Sequence, residues 1–196
     1  MSEPDAAPPA PLPQLRMTRA LSAIPELVVP ADYRLRHFAP GDAEAWAALL
    51  AENGGLGTWS ADTAAPFFAA DSRMPLEGAF FLTTGAEPVA TAQLHLKPDD
   101  PTVPGPELGF VAVIPRHQGC GLAAVVSLAV MHYAASAGHQ SIYLLTDDYR
   151  LAAIRTYLKL GFEPWLTDAS HAARWDAVRA VLDQYQVAAR DKREEQ

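Results

Sequence analysis

Apolar and polar positions along this chain keep two rhythms, and the switch between them marks its elements. Tyr33, Leu35 and His37 alternate with Arg34 and Arg36, the period-two pattern of a short strand. Pro40, Gly41 and Asp42 then open a helix through Trp46, Leu49 and Leu50, with Asp42 as its cap and a glycine cluster at Gly54, Gly55 and Gly57 as its end. Ser60 to Ala70 predicts a second, shorter helix interrupted by Pro66. Gly78 to Thr84 and Val89 to Leu96 predict an antiparallel hairpin turning at Gly85 to Pro88, and Glu107 to Ile114 is the next strand. From Gly119 the period lengthens: Leu122, Val125, Val126, Ala129, Val130 and Tyr133 share one face of a long helix that Gly138 stops. Ser141 to Leu145 is an unbroken apolar run, the pattern of a strand buried on both faces. Leu151, Ile154 and Leu158 form a stripe on a helix from Arg150 to Leu160, with Gly161 as its exit, and a final helix spans His171 to Ala189. The class is mixed α/β.

The ends read differently. Seven of the 17 prolines fall within the first 30 residues, so 1–30 is expected to be a Pro/Ala-rich flexible tail. The charged stretch 190–196 is expected to fray, which leaves a folded domain over 31–189. No apolar run approaches the roughly 20 residues of a membrane span, and no secretory-type leader opens the chain, so a cytoplasmic protein without a membrane partner is expected. The single Cys120 excludes an internal disulfide, and the six histidines show no ligand spacing, so no metal site is expected. A net charge of -8 argues against a nucleic-acid partner, and any anionic ligand must be held by local geometry.

The segment that suggests chemistry is Val113-Ile114-Pro115-Arg116-His117-Gln118-Gly119-Cys120-Gly121-Leu122, between the end of a strand and the start of the longest helix. A helix start exposes unpaired N–H groups and the positive end of the dipole, and glycines let a phosphate approach the backbone. The same glycines also serve tight strand–helix packing. Here the chain resembles the GNAT superfamily of acyltransferases, whose signature of Gln or Arg, two residues, Gly, one residue, then Gly or Ala is met by Arg116, Gly119 and Gly121. Some 30 residues later, Arg150-Leu151-Ala152-Ala153-Ile154-Arg155-Thr156-Tyr157-Leu158-Lys159-Leu160-Gly161-Phe162 resembles the family's second block. The strong similarity covers about Glu107 to Pro164, and the first half matches only in its order of elements.

The resemblance implies a GNAT fold, with antiparallel N-terminal strands and a parallel strand pair toward the C-terminal half. It implies transfer of an acetyl group from acetyl-CoA, or another short acyl-CoA, to an unidentified amine acceptor. It implies that backbone N–H groups from Gln118, Gly119, Cys120, Gly121, Leu122 and Ala123 hold the pyrophosphate, helped by Arg116 and His117. The strand at Val111, Ala112 and Val113 would pair with the pantetheine arm and offer an N–H to the reacting carbonyl. Tyr157 matches the family tyrosine near the CoA sulfur, a donor to the leaving group, and Glu107 stands where some branches place a general base. Arg150 replaces the usual Asn of the second block, which leaves two roles open: a contact to CoA, or an ion pair with Asp147 or Asp148. Cys120 occupies the variable place in the loop, and covalent catalysis is not implied. Homodimers are common among relatives, and a regulatory protein that binds acyl-CoA without turning it over is the alternative on the same fold.

Overall fold

The structure, a computed structural model, describes residues 12–68 and 73–194. Strand β3 (Ala79–Thr84) and strand β4 (Glu87–His95) form the predicted antiparallel hairpin, and strand β2 (Arg34–His37) pairs with the outer edge of β3. Strand β5 (Glu107–Val113) continues the antiparallel run beside β4. Helix α3 (Leu122–Ser136) then carries the chain across the sheet to strand β6 (Ser141–Thr146), which runs parallel to β5. That reversal of direction needs a crossover, and the long apolar face of α3 supplies one that buries itself against β3, β4 and β5. The mixed sheet with one parallel pair is the architecture the sequence predicted.

The N-terminal expectation needs correction. Residues 1–11 lie outside the described residues, but strand β1 (Leu15–Ala20) is inside the sheet, antiparallel to β6 over its whole length. Leu15 and Met17 are 0% exposed, and Arg16 and Thr18 alternate with them. The apolar alternation is only two positions long and sits between prolines, so composition outvoted it. A two-residue strand β7 (Glu163–Pro164), also unforeseen, flanks β1 and completes the order β2-β3-β4-β5-β6-β1-β7.

The helices follow the pattern with local changes. Helix α1 (Ala43–Asn53) begins after Asp42, whose carboxylate accepts from Ala39 N–H at 2.7 Å and pairs with Arg36 instead of capping a helix N–H. Helix α2 (Ala61–Ala64) is one turn, capped reciprocally by Ser60 and Thr63, and passes into a 3-10 turn at Ala65–Phe68; the rest of the predicted span lies partly outside the described residues. Helix α4 (Leu151–Lys159) packs against helix α5 (His171–Glu194), which runs past the predicted end at Ala189. Trp46, Trp175, Phe81 and Phe162 are among the largest fully buried side chains. No helix among the described residues is long and apolar enough to cross a membrane.

Candidate active site

Strands β5 and β6 are paired only where Glu107 meets Tyr143, and past that point they separate. From Leu108 onward β5 is bonded to β4 on one edge and, among the described residues, to no strand on the other. Unpaired strand edges normally recruit a partner, so this fork is a place for an extended molecule. A cavity of about 570 Å³ lies there, bounded by Val111 and Val113 of β5, by the start of α3 and by the inner side of α4.

The start of α3 is shaped by two left-handed residues. Gly119 and Gly121 have φ of 81° and 77°, a region that L side chains rarely adopt, and no heavy atom lies within 4 Å of where a Cβ would stand on either. Among the described residues, the N–H groups of 119–123 donate to no acceptor in the protein, and the helix ladder begins only with Ala124 N–H to Gly121 C=O at 3.0 Å. Gly119, Gly121, Leu122 and Ala123 all line the cavity. His117, Arg150 and Lys159 also line it and no carboxylate side chain among the described residues does, so basic side chains gather here in a chain whose net charge is -8.

The predicted residues divide accordingly. Val111, Val113, His117 and Gln118 reach the cavity, with Arg150 and Tyr157 facing them from the α4 side. Gln118 also donates to the Val113 carbonyl at 3.1 Å, and His117 Nδ1 shares a hydrogen bond of 2.9 Å with the Tyr33 hydroxyl. Ala112 turns into the core, and Cys120 is exposed outside the cavity. Arg116 is drawn away: its guanidinium pairs with Glu52 at 2.9 Å and with Glu87. Arg150 makes the ion pair that was one of the two roles left open for it, and it does so from the cavity wall. Its Nε pairs with Asp147 at 2.8 Å, and its Nη2 donates to the Gly55 carbonyl. Asp148 is taken by Arg174 at 2.7 Å, whose hydrogen bonds hold its carboxyl below the usual carboxylate range.

Tyr157 is 7% exposed, and its hydroxyl makes no hydrogen bond among the described residues. Burial pushes its phenol up to about 12. Glu107 lies outside the cavity, at the base of the fork. Its Oε2 accepts from the Tyr143 hydroxyl at 3.1 Å and pairs with Lys97 at 3.3 Å. Burial first, and then the Glu107 carboxylate, push the Tyr143 phenol up. His95, opposite Glu107 in the ladder, is held below the ordinary imidazole range chiefly by burial and then by Lys97. Between Glu107 and the cavity the β4–β5 register shifts, and Phe110 takes the left-handed φ of 50°. Such strain in a non-glycine residue is held only where the surroundings insist on it.

The model of the acetyltransferase (GNAT) family matches residues 43–162, more than half of the chain. The chain belongs to the GNAT acetyltransferase family. It is 32% identical over 169 residues to the mycothiol acetyltransferase of Nocardia farcinica, covering 82% of this chain and 55% of that one. The mycothiol acetyltransferase of Thermobispora bispora is 31% identical over 173 residues, covering 80% and 55%. The chain thus spans about half the length of the curated relatives it matches. Among solved structures, a GCN5-related N-acetyltransferase from Sphaerobacter thermophilus shares the fold with a TM-score of 0.62 at 19% identity, over 79% of this chain and 50% of that one. Diaminobutyrate acetyltransferase EctA from Paenibacillus lautus, in complex with its substrate and coenzyme A, gives 0.56 at 17% identity, over 65% and 73%.

Several wall residues of this GNAT domain were not predicted, two of them from outside both sequence blocks. Asn53, the last residue of α1, donates to the Val113 carbonyl at 3.2 Å, and Gly55 receives Arg150. Their places depend on α1 packing over β5, which no local pattern encodes. Lys159 was legible as a cation within the second block, two residues past Tyr157, but its direction was not.

Proposed function

We propose that the protein transfers an acetyl group from acetyl-CoA to an amine by direct attack while both substrates are bound. The observation that carries this is the row of N–H groups at 119–123 that find no acceptor among the described residues, with Gly119, Gly121, Leu122 and Ala123 lining the cavity that Tyr157 also lines. The fit is chemical as well as spatial. Paired amide donors at a helix start, with Arg150 and Lys159 beside them, suit a pyrophosphate, and the unpaired edge of β5 suits the amides of a pantetheine arm. Acetyl-CoA supplies the activated acyl group. The protein's own part is to hold it along β5, to aim an N–H of the Val111–Val113 stretch at the developing oxyanion, and to offer the Tyr157 hydroxyl to the departing sulfur.

The test is conversion of acetyl-CoA to CoA, separated and quantified by chromatography, across a panel of amines that includes des-acetyl mycothiol, because the curated relatives carry mycothiol in their name. Amine-dependent CoA formation supports the proposal. Tight CoA binding with no CoA formation for any amine would replace it with the silent acyl-CoA-binding reading.

A further inference from the structure

The far edge of the sheet holds a second cavity, of about 380 Å³, between strand β7 and helix α5. Ala172, Trp175, Asp176 and Arg179 stand three and four residues apart, a single stripe of α5, and line its helix side. Glu163, Pro164 and Leu166, from β7 and the residues after it, line the other side. Trp175 is 1% exposed, and its indole Nε1 has no hydrogen-bond partner among the described residues. An indole N–H can only donate, and buried donors in native proteins are nearly always paired, so a cavity wall here carries a donor for which the fold supplies no acceptor.

The acceptor does not come from an added strand. Trp165 N–H donates to the Arg16 carbonyl, so the neighbouring Pro164 faces outward from β7, and proline has no N–H for a further ladder. A compact molecule suits a cavity of this size. Three kinds of group await it. Glu163 makes no hydrogen bond or ion pair among the described residues, so its carboxylate is free. Arg179 meets Asp176 only at 3.4 Å, on side chains that are both more than half exposed, and has N–H groups to spare. It stands one turn from Trp175 on the same stripe, so an N–H of each can serve the two oxygens of one carboxylate. Leu166, 56% exposed, and Pro164 leave an apolar wall uncovered.

We propose that this groove binds a free α-amino acid with an aliphatic side chain, at a site separate from the acyl-transfer fork and independent of that reading. The ligand's carboxylate accepts from Trp175 Nε1–H and Arg179, its ammonium lies against Glu163, and its side chain covers Pro164 and Leu166. A simple amine would leave the indole unpaired, and a simple anion would meet the bare carboxylate of Glu163. Strands β6 and β1 stand between β7 and β5, which puts the groove roughly 14 Å across the sheet from the fork, so its occupant is not the acetyl acceptor.

The experiment titrates leucine into the ¹⁵N-labelled protein and follows the indole N–H signal of Trp175, identified by its loss in Trp175→Phe or, should that variant not fold, by correlation with the ring and backbone of the same residue. Low millimolar leucine should move that signal saturably and leave those of Trp46 and Trp59 in place. Leucinamide and N-acetylleucine, each lacking one of the two charges as a peptide terminus does, should bind about ten-fold more weakly or not at all. Arg179→Gln and Glu163→Gln, both at exposed positions, should each weaken leucine about three- to ten-fold with Tm within a degree or two of wild type. Saturating CoA should leave leucine affinity within about two-fold, since the two sites share no residue. An indole signal of Trp175 that stays still would overturn the proposal, as would equal affinity for leucine and leucinamide, or wild-type affinity in both charge variants. Shifts confined to the N–H groups of 111–123 would place leucine at the fork instead and overturn it as well.

Discussion

Tyr157→Phe removes one oxygen atom, and the structure says what that should cost. The hydroxyl bonds to nothing among the described residues, so the fold loses no hydrogen bond and Tm should stay within a degree or two. Burial holds the phenol at about 12, two units above its ordinary value, a penalty on the phenolate of about 3 kcal/mol. A CoA thiol titrates near a free cysteine, about 8.5, so full proton transfer from Tyr157 to the thiolate is uphill by about 5 kcal/mol. On the proposed reading the phenol is therefore a hydrogen-bond donor to the sulfur that keeps its own proton. A hydrogen bond to a charged acceptor is worth about 1.5–3 kcal/mol, which corresponds to a fall in kcat of roughly 10- to 100-fold. Initial rates of CoA formation at saturating amine, with CoA affinity by calorimetry and Tm by scanning, separate the parts. A kcat within two-fold of wild type would remove Tyr157 from the site. A loss beyond about 10⁴-fold would mean that the phenol does transfer its proton, against the energetics above.

Other consequences follow from burial, pairing and titration. Met17→Ala should cost about 2–5 kcal/mol in chemical denaturation, because Met17 is wholly buried between β6 and β7; a cost under about 0.5 kcal/mol would mean that β1 does not belong to the sheet. Arg116→Ala should leave CoA affinity within about two-fold, since Glu52 and Glu87 hold its guanidinium outside the cavity, while Arg150→Ala should weaken it about three- to ten-fold. The reverse order would contradict the placement of both. His95 binds its proton less readily in the fold than in the unfolded chain, so stability is present above the ordinary imidazole range and is lost as pH falls from about 6.5 toward the lowered folded value. Wild-type Tm should thus drop relative to His95→Asn between pH 7 and pH 5, and a constant difference would refute it.

What the sequence disclosed were features built by neighbours along the chain. The glycine spacing at 119 and 121, the apolar face of α3 and the second block from Arg150 to Phe162 each depend on local backbone geometry, and each lies where it was expected. What it withheld depends on distant partners. Arg116 looked like a phosphate ligand from its place in the motif, but carboxylates from α1 and β4 claim it. Leu15 and Met17 alternate too briefly among prolines to announce a strand, and they are ordered by β6, more than a hundred residues away. Asn53 and Gly55 become cavity walls only because α1 ends above β5.

The most direct measurement is amide chemical-shift mapping of the ¹⁵N-labelled protein titrated with CoA. The N–H groups of 119–123 should move first and furthest as they gain their acceptors, together with those of Val111 and Val113 on the open edge of β5. Saturable shifts confined to another surface, or no shifts at these residues with millimolar CoA, would contradict the placement of the acyl donor in this fork.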